Sequence, residues 1–144
     1  MTQGALFSFR AFGHPNIAAT HPTTLEFTTE SHVTSRGNCI VGVRASRSPS
    51  AFPSSVKQAM STQLGMAVLR INVAGQSFEV RGQGSPGLTF QDSREMVVRK
   101  SAFASHRTIM VNADKAANDI PREMLGLLRK PDQRLEIEIE LVKR

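Results

Sequence analysis

The sequence predicts a single α+β domain of about eight mostly antiparallel strands, in a curled or barrel-like sheet, with two helices. Three observations carry this expectation. Apolar and polar residues alternate in many short segments, most regularly where Leu135, Ile137, Ile139 and Leu141 interleave with Glu136, Glu138 and Glu140. Helical periodicity occurs only twice. The helical segments also stand singly rather than after every strand, which disfavours a doubly wound parallel sheet.

In chain order, weaker alternation marks strands at Leu6 to Phe12, Thr23 to Thr29, and Cys39 to Ala45. Pro53-Ser54-Ser55 then offers a capping hydroxyl ahead of Val56, Met60 and Leu64, which recur every fourth residue, and Gly65 is a natural stop. Strands follow at Met66 to Ala74 and Ser77 to Arg81, joined by a hairpin at Ala74-Gly75-Gln76 where Gly supplies positive φ. Gly82 to Gly87 is expected to be a Gly-rich hairpin, since it has neither the spacing nor the following helix of a phosphate-binding loop. Glu95 to Arg99 and Arg107 to Val111 are the next strands, and Asn112 to Asn118 is expected to form a helical turn. In the second helix Ile120, Met124, Leu127 and Leu128 make the apolar stripe, Asp119 is the expected cap, Pro121 occupies the first turn and Pro131 forbids continuation. No repeat and no domain boundary are evident.

At 144 residues the chain is long enough to bury roughly 68% of its unfolded surface without a staple. Its longest apolar runs fall far short of the ~20 residues a membrane helix needs. No signal-peptide pattern is present at the N-terminus, so the expected location is the cytoplasm, and the one cysteine, Cys39, permits no internal disulfide. With no Trp or Tyr, Phe is the only large aromatic available for stacking. Net charge is +6, and between Arg36 and Arg107 ten basic residues face only Glu79, Asp92 and Glu95. A basic middle segment suits phosphate, nucleic acid or another anionic partner, and equally a well-solvated surface.

Two stretches could carry chemistry. In GHPNIAATHPTTLEF, each proline holds the preceding His14 or His21 in extended backbone, and Glu26 lies on the following strand, opposite in facing to Leu25 and Phe27. Two imidazoles and a carboxylate suit acid/base work or metal ligation, although histidines capping turns beside a solvated glutamate would read the same. In MVVRKSAFASHRTIMVNADKAANDI, the cations Arg99, Lys100, Arg107 and Lys115, with Asp114 to orient them, suit a phosphate or carboxylate. Cys39 has no cation beside it in sequence and is expected to be structural.

Together FGHPNIAATHPTTLEFT, GNCIVGVRA, GSPGLTF and MVVRKSAFASHRTIMVNADKAANDIPREM resemble the archaeal domain of unknown function family 371, collinearly from about Phe9 onward. The resemblance implies an archaeal source and a small β-rich α+β domain, and it supplies no function. It marks His14, Pro15, Asn16, His21, Thr23, Thr24, Glu26, Gly37, Cys39, Gly42, Arg99, Lys100, Ser101, Phe103, Arg107, Asp114, Lys115 and Arg122 as family-typical. Asn38 stands where an aspartate is usual, and Pro121 interrupts the polar helix start.

The expected function is therefore binding of a phosphate-bearing ligand, RNA among the candidates, with Arg99, Lys100, Arg107, Asp114 and Lys115 holding the anion. His14, His21 and Glu26 are the candidate catalytic groups. A small-molecule hydrolase, with or without metal, and a non-catalytic subunit of a larger complex are the alternatives. Cofactor, metal and oligomeric state are left open.

Overall fold

In a computed structural model of the chain, residues 2–34, 36–62 and 66–142 are described, with side chains from Phe7 onward. The alternating segments form two four-stranded sheets. The first takes β1 (Thr2–Phe12), β8 (Arg134–Val142), β4 (Met66–Val73) and β5 (Gln76–Gly82) in that spatial order, antiparallel throughout. The second takes β3 (Ile40–Gly42), β2 (Thr24–Thr28), β6 (Glu95–Arg99) and β7 (Thr108–Met110). In this sheet β2 and β6 are antiparallel at the centre, while β3 and β7 run parallel to their neighbours at the two edges. Helices α1 (Ser54–Met60) and α2 (Arg122–Leu128) complete a single α+β domain.

Alternation explains the core. On β8, Leu135, Ile137, Ile139 and Leu141 are buried, and they meet Phe9, Ala11, Leu69 and Ile71 in one apolar interior with Leu25, Phe27 and Val98 of the second sheet. The opposite face of β8 is not uniformly wet: Glu140 is buried and accepts a hydrogen bond from Arg70 Nη2 at 3.0 Å. The β4–β5 hairpin turns at Ala74 and Gly75, both with positive φ, as a two-residue reversal between twisted strands requires.

Several local expectations are corrected. The barrel does not close: among the described residues only single bridges, Phe12 to Val43 and Gln83 to Val111, link the edges of the two sheets. Gly82 to Gly87 is not a hairpin: β5 and β6 belong to different sheets, and Gly84 passes against the Met60 carbonyl on the way across. Asp119 does not cap α2. Its carboxylate accepts from the Ala116 N–H, closing a 3-10 turn at Ala117–Asp119, and Pro121 occupies the cap position of the helix. The turn anticipated at Asn112 to Asn118 shrinks to that 3-10 segment, and Leu64 and Gly65 of the first helical expectation lie outside the described residues.

The chain also contains an internal repeat, contrary to the expectation of none from the sequence. Hydrogen bonds recur in matched sets: His14 N–H to Leu128 carbonyl with Ser85 N–H to Met60 carbonyl; Arg44 to Glu30 with Asn112 to Ser101; Ser46 to Arg10 with Asp114 to Arg81. Ala19 and Phe90 share positive φ, as do Arg44 and Asn112, so both copies hold the same unusual backbone conformations. The copies interlock, since Ser50 donates to the Asp92 carbonyl and Asn118 to the His21 carbonyl. The trace in sequence is faint, GHPNI against GSPGL and VRASRSPSAFP against VNADKAANDIP. Backbone geometry is preserved while most side chains differ, and residue-by-residue matching therefore finds little.

Candidate functional site

The outer face of the β3-β2-β6-β7 sheet carries a compact ionic cluster. Alternation on β2 sends Leu25 and Phe27 into the core and Glu26 outward, and register places Glu26 opposite Val97 of β6. Arg107, just before β7, reaches back with Nη1 2.7 Å from Glu95 Oε1 and 3.7 Å from Glu26 Oε1. On the other side the Cys39 thiol, just before β3, donates to Glu26 Oε1 at 3.4 Å. Arg99 donates from Nε to Thr108 Oγ1 at 2.9 Å, and its guanidinium sits 5.1 Å from the centre of the Phe103 ring.

Burial sets the electrostatics. Glu26 is only 4% exposed, and desolvation, helped by the neighbouring Glu95 charge, pushes its carboxyl up to about 7 despite the opposing pull of Arg107. Burial and the Glu26 carboxylate push the Cys39 thiol up to about 12, which agrees with a structural rather than nucleophilic thiol. The Arg99 guanidinium is held below its ordinary value by desolvation and by the like charge of Arg107. Arg107 has carboxylates to answer it, whereas Arg99 is held only by hydroxyls and a ring and makes no ion pair among the described residues.

The expected site residues separate. Glu26, Arg107 and Arg99 come together. His21 stands at the end of β2 next to Thr24, its Nδ1 accepting the Thr23 and Thr24 N–H groups at 3.2 and 3.1 Å, so the imidazole caps a turn. Lys100 is at the same end, with Nζ 3.5 Å from Asp119. His14 is elsewhere. Its Nδ1 accepts the Asn16 N–H at 3.0 Å, and its ring lines a cleft of about 280 Å³ beside the exposed Arg44–Asp132 pair. Asp114 and Lys115 attach to β5 through the Arg81 N–H and the Glu79 carbonyl. Of the candidate residues, Glu26, Arg99 and Arg107 thus form one group, while His14, Asp114 and Lys115 lie apart from it. The reason is topological: β2 and β6 are neighbours, whereas the segment after β7 crosses to the other sheet.

Cys39, Glu95 and Thr108 belong to the cluster and were not expected there. The internal repeat is the signal that exposes Cys39, since Glu26 N–H donates to the Cys39 carbonyl as Val97 N–H does to that of Arg107. Cys39 and Arg107 therefore occupy equivalent places on either side of Glu26. Among the described residues no group of three or more His, Cys, Asp or Glu is arranged to hold a metal ion. Nor is any helix among them long and apolar enough to cross a membrane.

These features define an internally repeated, two-sheet α+β domain with a buried carboxylate and a guanidinium pair on one sheet face. The chain belongs to the family described as domain of unknown function DUF371, which it matches over residues 9–142. It is also similar to an uncharacterised protein of the archaeon Methanocaldococcus jannaschii, 37% identical over 124 residues that cover 86% of this chain and 91% of the relative. The resemblance drawn from the sequence motifs is borne out.

Proposed function

We propose that this protein binds a phosphate-bearing ligand, a nucleotide or the backbone of an RNA, on the outer face of the β3-β2-β6-β7 sheet. The observation that carries this reading is the Arg99 guanidinium, which is partly desolvated, presented by Thr108 and Ser105 hydroxyls, and without a carboxylate partner among the described residues. A guanidinium in that state gains most from an anion. Phe103 beside it is 62% exposed, the one large apolar side chain so exposed among the described residues, and it offers a face on which a base can stack next to the bound phosphate.

Titration of wild-type protein with inorganic phosphate, a nucleoside monophosphate and a single-stranded RNA tests the reading. Arg99→Gln is expected to weaken all three roughly tenfold or more, as loss of a charge-assisted hydrogen bond does. Phe103→Ala should weaken the nucleotide and RNA but not phosphate. Affinity for RNA should fall steeply with salt through counterion release, while a mononucleotide should respond weakly. Unchanged affinity in Arg99→Gln overturns the proposal.

A hydrolase with Glu26 as its acid/base group is the second reading, favoured by a carboxyl that titrates near neutrality. It ranks lower because Glu26 lies behind Arg107 and Cys39 and is nearly inaccessible, so a substrate would have to displace them.

A further inference from the structure

The internal repeat allows one half of the molecule to serve as a control for the other. On the face of the β1-β8-β4-β5 sheet, each copy places two basic residues at matched positions: Arg81 and Lys115 in the second, Arg10 and Arg47 in the first. In the second copy a carboxylate answers Arg81, while Lys115, like Arg47 in the first, reaches a backbone carbonyl. Arg81 Nη2 lies 3.4 Å from Glu79, Lys115 Nζ donates to the Glu79 carbonyl at 2.7 Å, and Asp114 accepts the Arg81 N–H at 2.9 Å.

In the first copy Ser8 stands in the place of Glu79 and Ser46 in that of Asp114. The backbone arrangement is retained, with Ser46 Oγ accepting the Arg10 N–H at 3.0 Å. Both acids are gone, and the Arg10 and Arg47 guanidinia make no ion pair among the described residues; Arg47 reaches only the Ser46 carbonyl. Between them and β8 a groove of about 580 Å³ opens, within the size range of small-molecule sites. Its far wall is acidic: Glu138, directly opposite Ser8, and Glu136, opposite Arg10. Glu136 is turned to Arg134 at 3.0 Å and Glu138 to the Asn72 amide at 3.2 Å, and among the described residues neither forms an ion pair with the two arginines.

We infer that this groove is a second binding site, separate from the Arg99 face, for a small zwitterion of amino-acid type whose carboxylate lies on Arg10 and Arg47 and whose ammonium faces Glu138. The acid wall argues for the zwitterion over a phosphate, because a dianion would gain two guanidinia while meeting two like charges across the same groove. A ligand with both signs is matched on both walls. The planar guanidinium forks suit a carboxylate bidentately, and the Ser8 and Ser46 hydroxyls leave room where the second copy has acids.

The test is amide-resolved NMR titration of the full chain with pooled L-amino acids at millimolar concentration, then with single members, acetate and a simple alkylamine. The expected result is saturable shifts confined to Ser8, Arg10, Ser46, Arg47, Glu136 and Glu138, with acetate and the amine each at least ~10-fold weaker than the best amino acid. Ser8→Glu, which restores the acid of the other copy at an exposed position, should reduce binding by ~10-fold or more with the remaining spectrum unchanged. Arg99→Gln should leave it intact, so the two sites stand or fall separately. No shift at these residues with any amino acid, acetate binding as tightly as the best of them, or full affinity in the folded Ser8→Glu protein would overturn the inference.

Discussion

Glu26 and Val97 face each other across β2 and β6, and they are the pair at which the two internal copies meet. Each residue occupies the position of the other, so the same backbone setting holds a carboxyl on one strand and an isopropyl group on its neighbour. Flanking them, Cys39 and Arg107 are also equivalents. The polar cluster is thus a place where the two copies carry different side chains on equivalent backbone, and its energetics follow from a carboxyl placed in a setting that also holds a valine.

Glu26 should make stability fall as pH rises. Its folded value of about 7 lies above the ordinary 4.5, so the folded state holds the proton more tightly; the contribution is fully present below 4.5 and is lost as pH climbs through 7. The displacement corresponds to on the order of 3 kcal/mol. Urea unfolding of wild type and Glu26→Gln between pH 4.5 and 8 should give curves that diverge over this window, with the variant flatter. Parallel curves would refute the assignment.

Removing the cation should make matters worse for the acids. In Arg107→Met, Glu95 loses a 2.7 Å ion pair and Glu26 loses its nearest positive charge, so the Glu26 carboxyl should titrate higher still. Because the pair is half-buried, the cost at pH 8 should be about 1–3 kcal/mol, and smaller at pH 5 where Glu26 is already protonated. Chemical denaturation at the two pH values checks the difference.

Cys39 should resist alkylation. A thiol raised to about 12 is almost wholly protonated at pH 8, and the thiolate is the reactive form. Iodoacetamide labelling of folded protein should be at least ~10-fold slower than in urea, with partial release in Glu26→Gln. Equal rates in the folded and unfolded protein would contradict the geometry.

Two glycine substitutions should act with opposite sign. At Gly84 an added methyl would press into the Met60 carbonyl, as at Gly13 it would into that of Lys130, and backbone on both sides cannot yield cheaply. Gly84→Ala should cost about 2 kcal/mol or more. Gly126 lies exposed within α2 with open space around it, so Gly126→Ala should stabilise by ~0.5–1 kcal/mol through helix propensity. Thermal melts of the two variants should move in opposite directions.

The alternation on β8, the hairpin at Ala74-Gly75 and the stripe Met124 and Leu128 were legible in the residues, because period and turn chemistry are local properties that each strand or helix carries alone. The family was legible as well, in motifs spread over nearly the whole chain. Glu26 was singled out with His14 and His21 as its partners, yet the carboxyl's neighbours are Cys39 and Arg107, His21 caps a turn, and His14 lies by Arg44 and Asp132 in another cleft. Such pairings depend on which strands are adjacent and in what register, and a one-residue shift would turn Glu26 to the other face. By itself the sequence determined the α+β class, the core faces and the family. The two-sheet order, the repeat and the company kept by Glu26, Arg99 and Arg107 were decided only by tertiary structure, since hydrogen-bonded neighbours far apart in the chain leave little imprint on the local pattern of either.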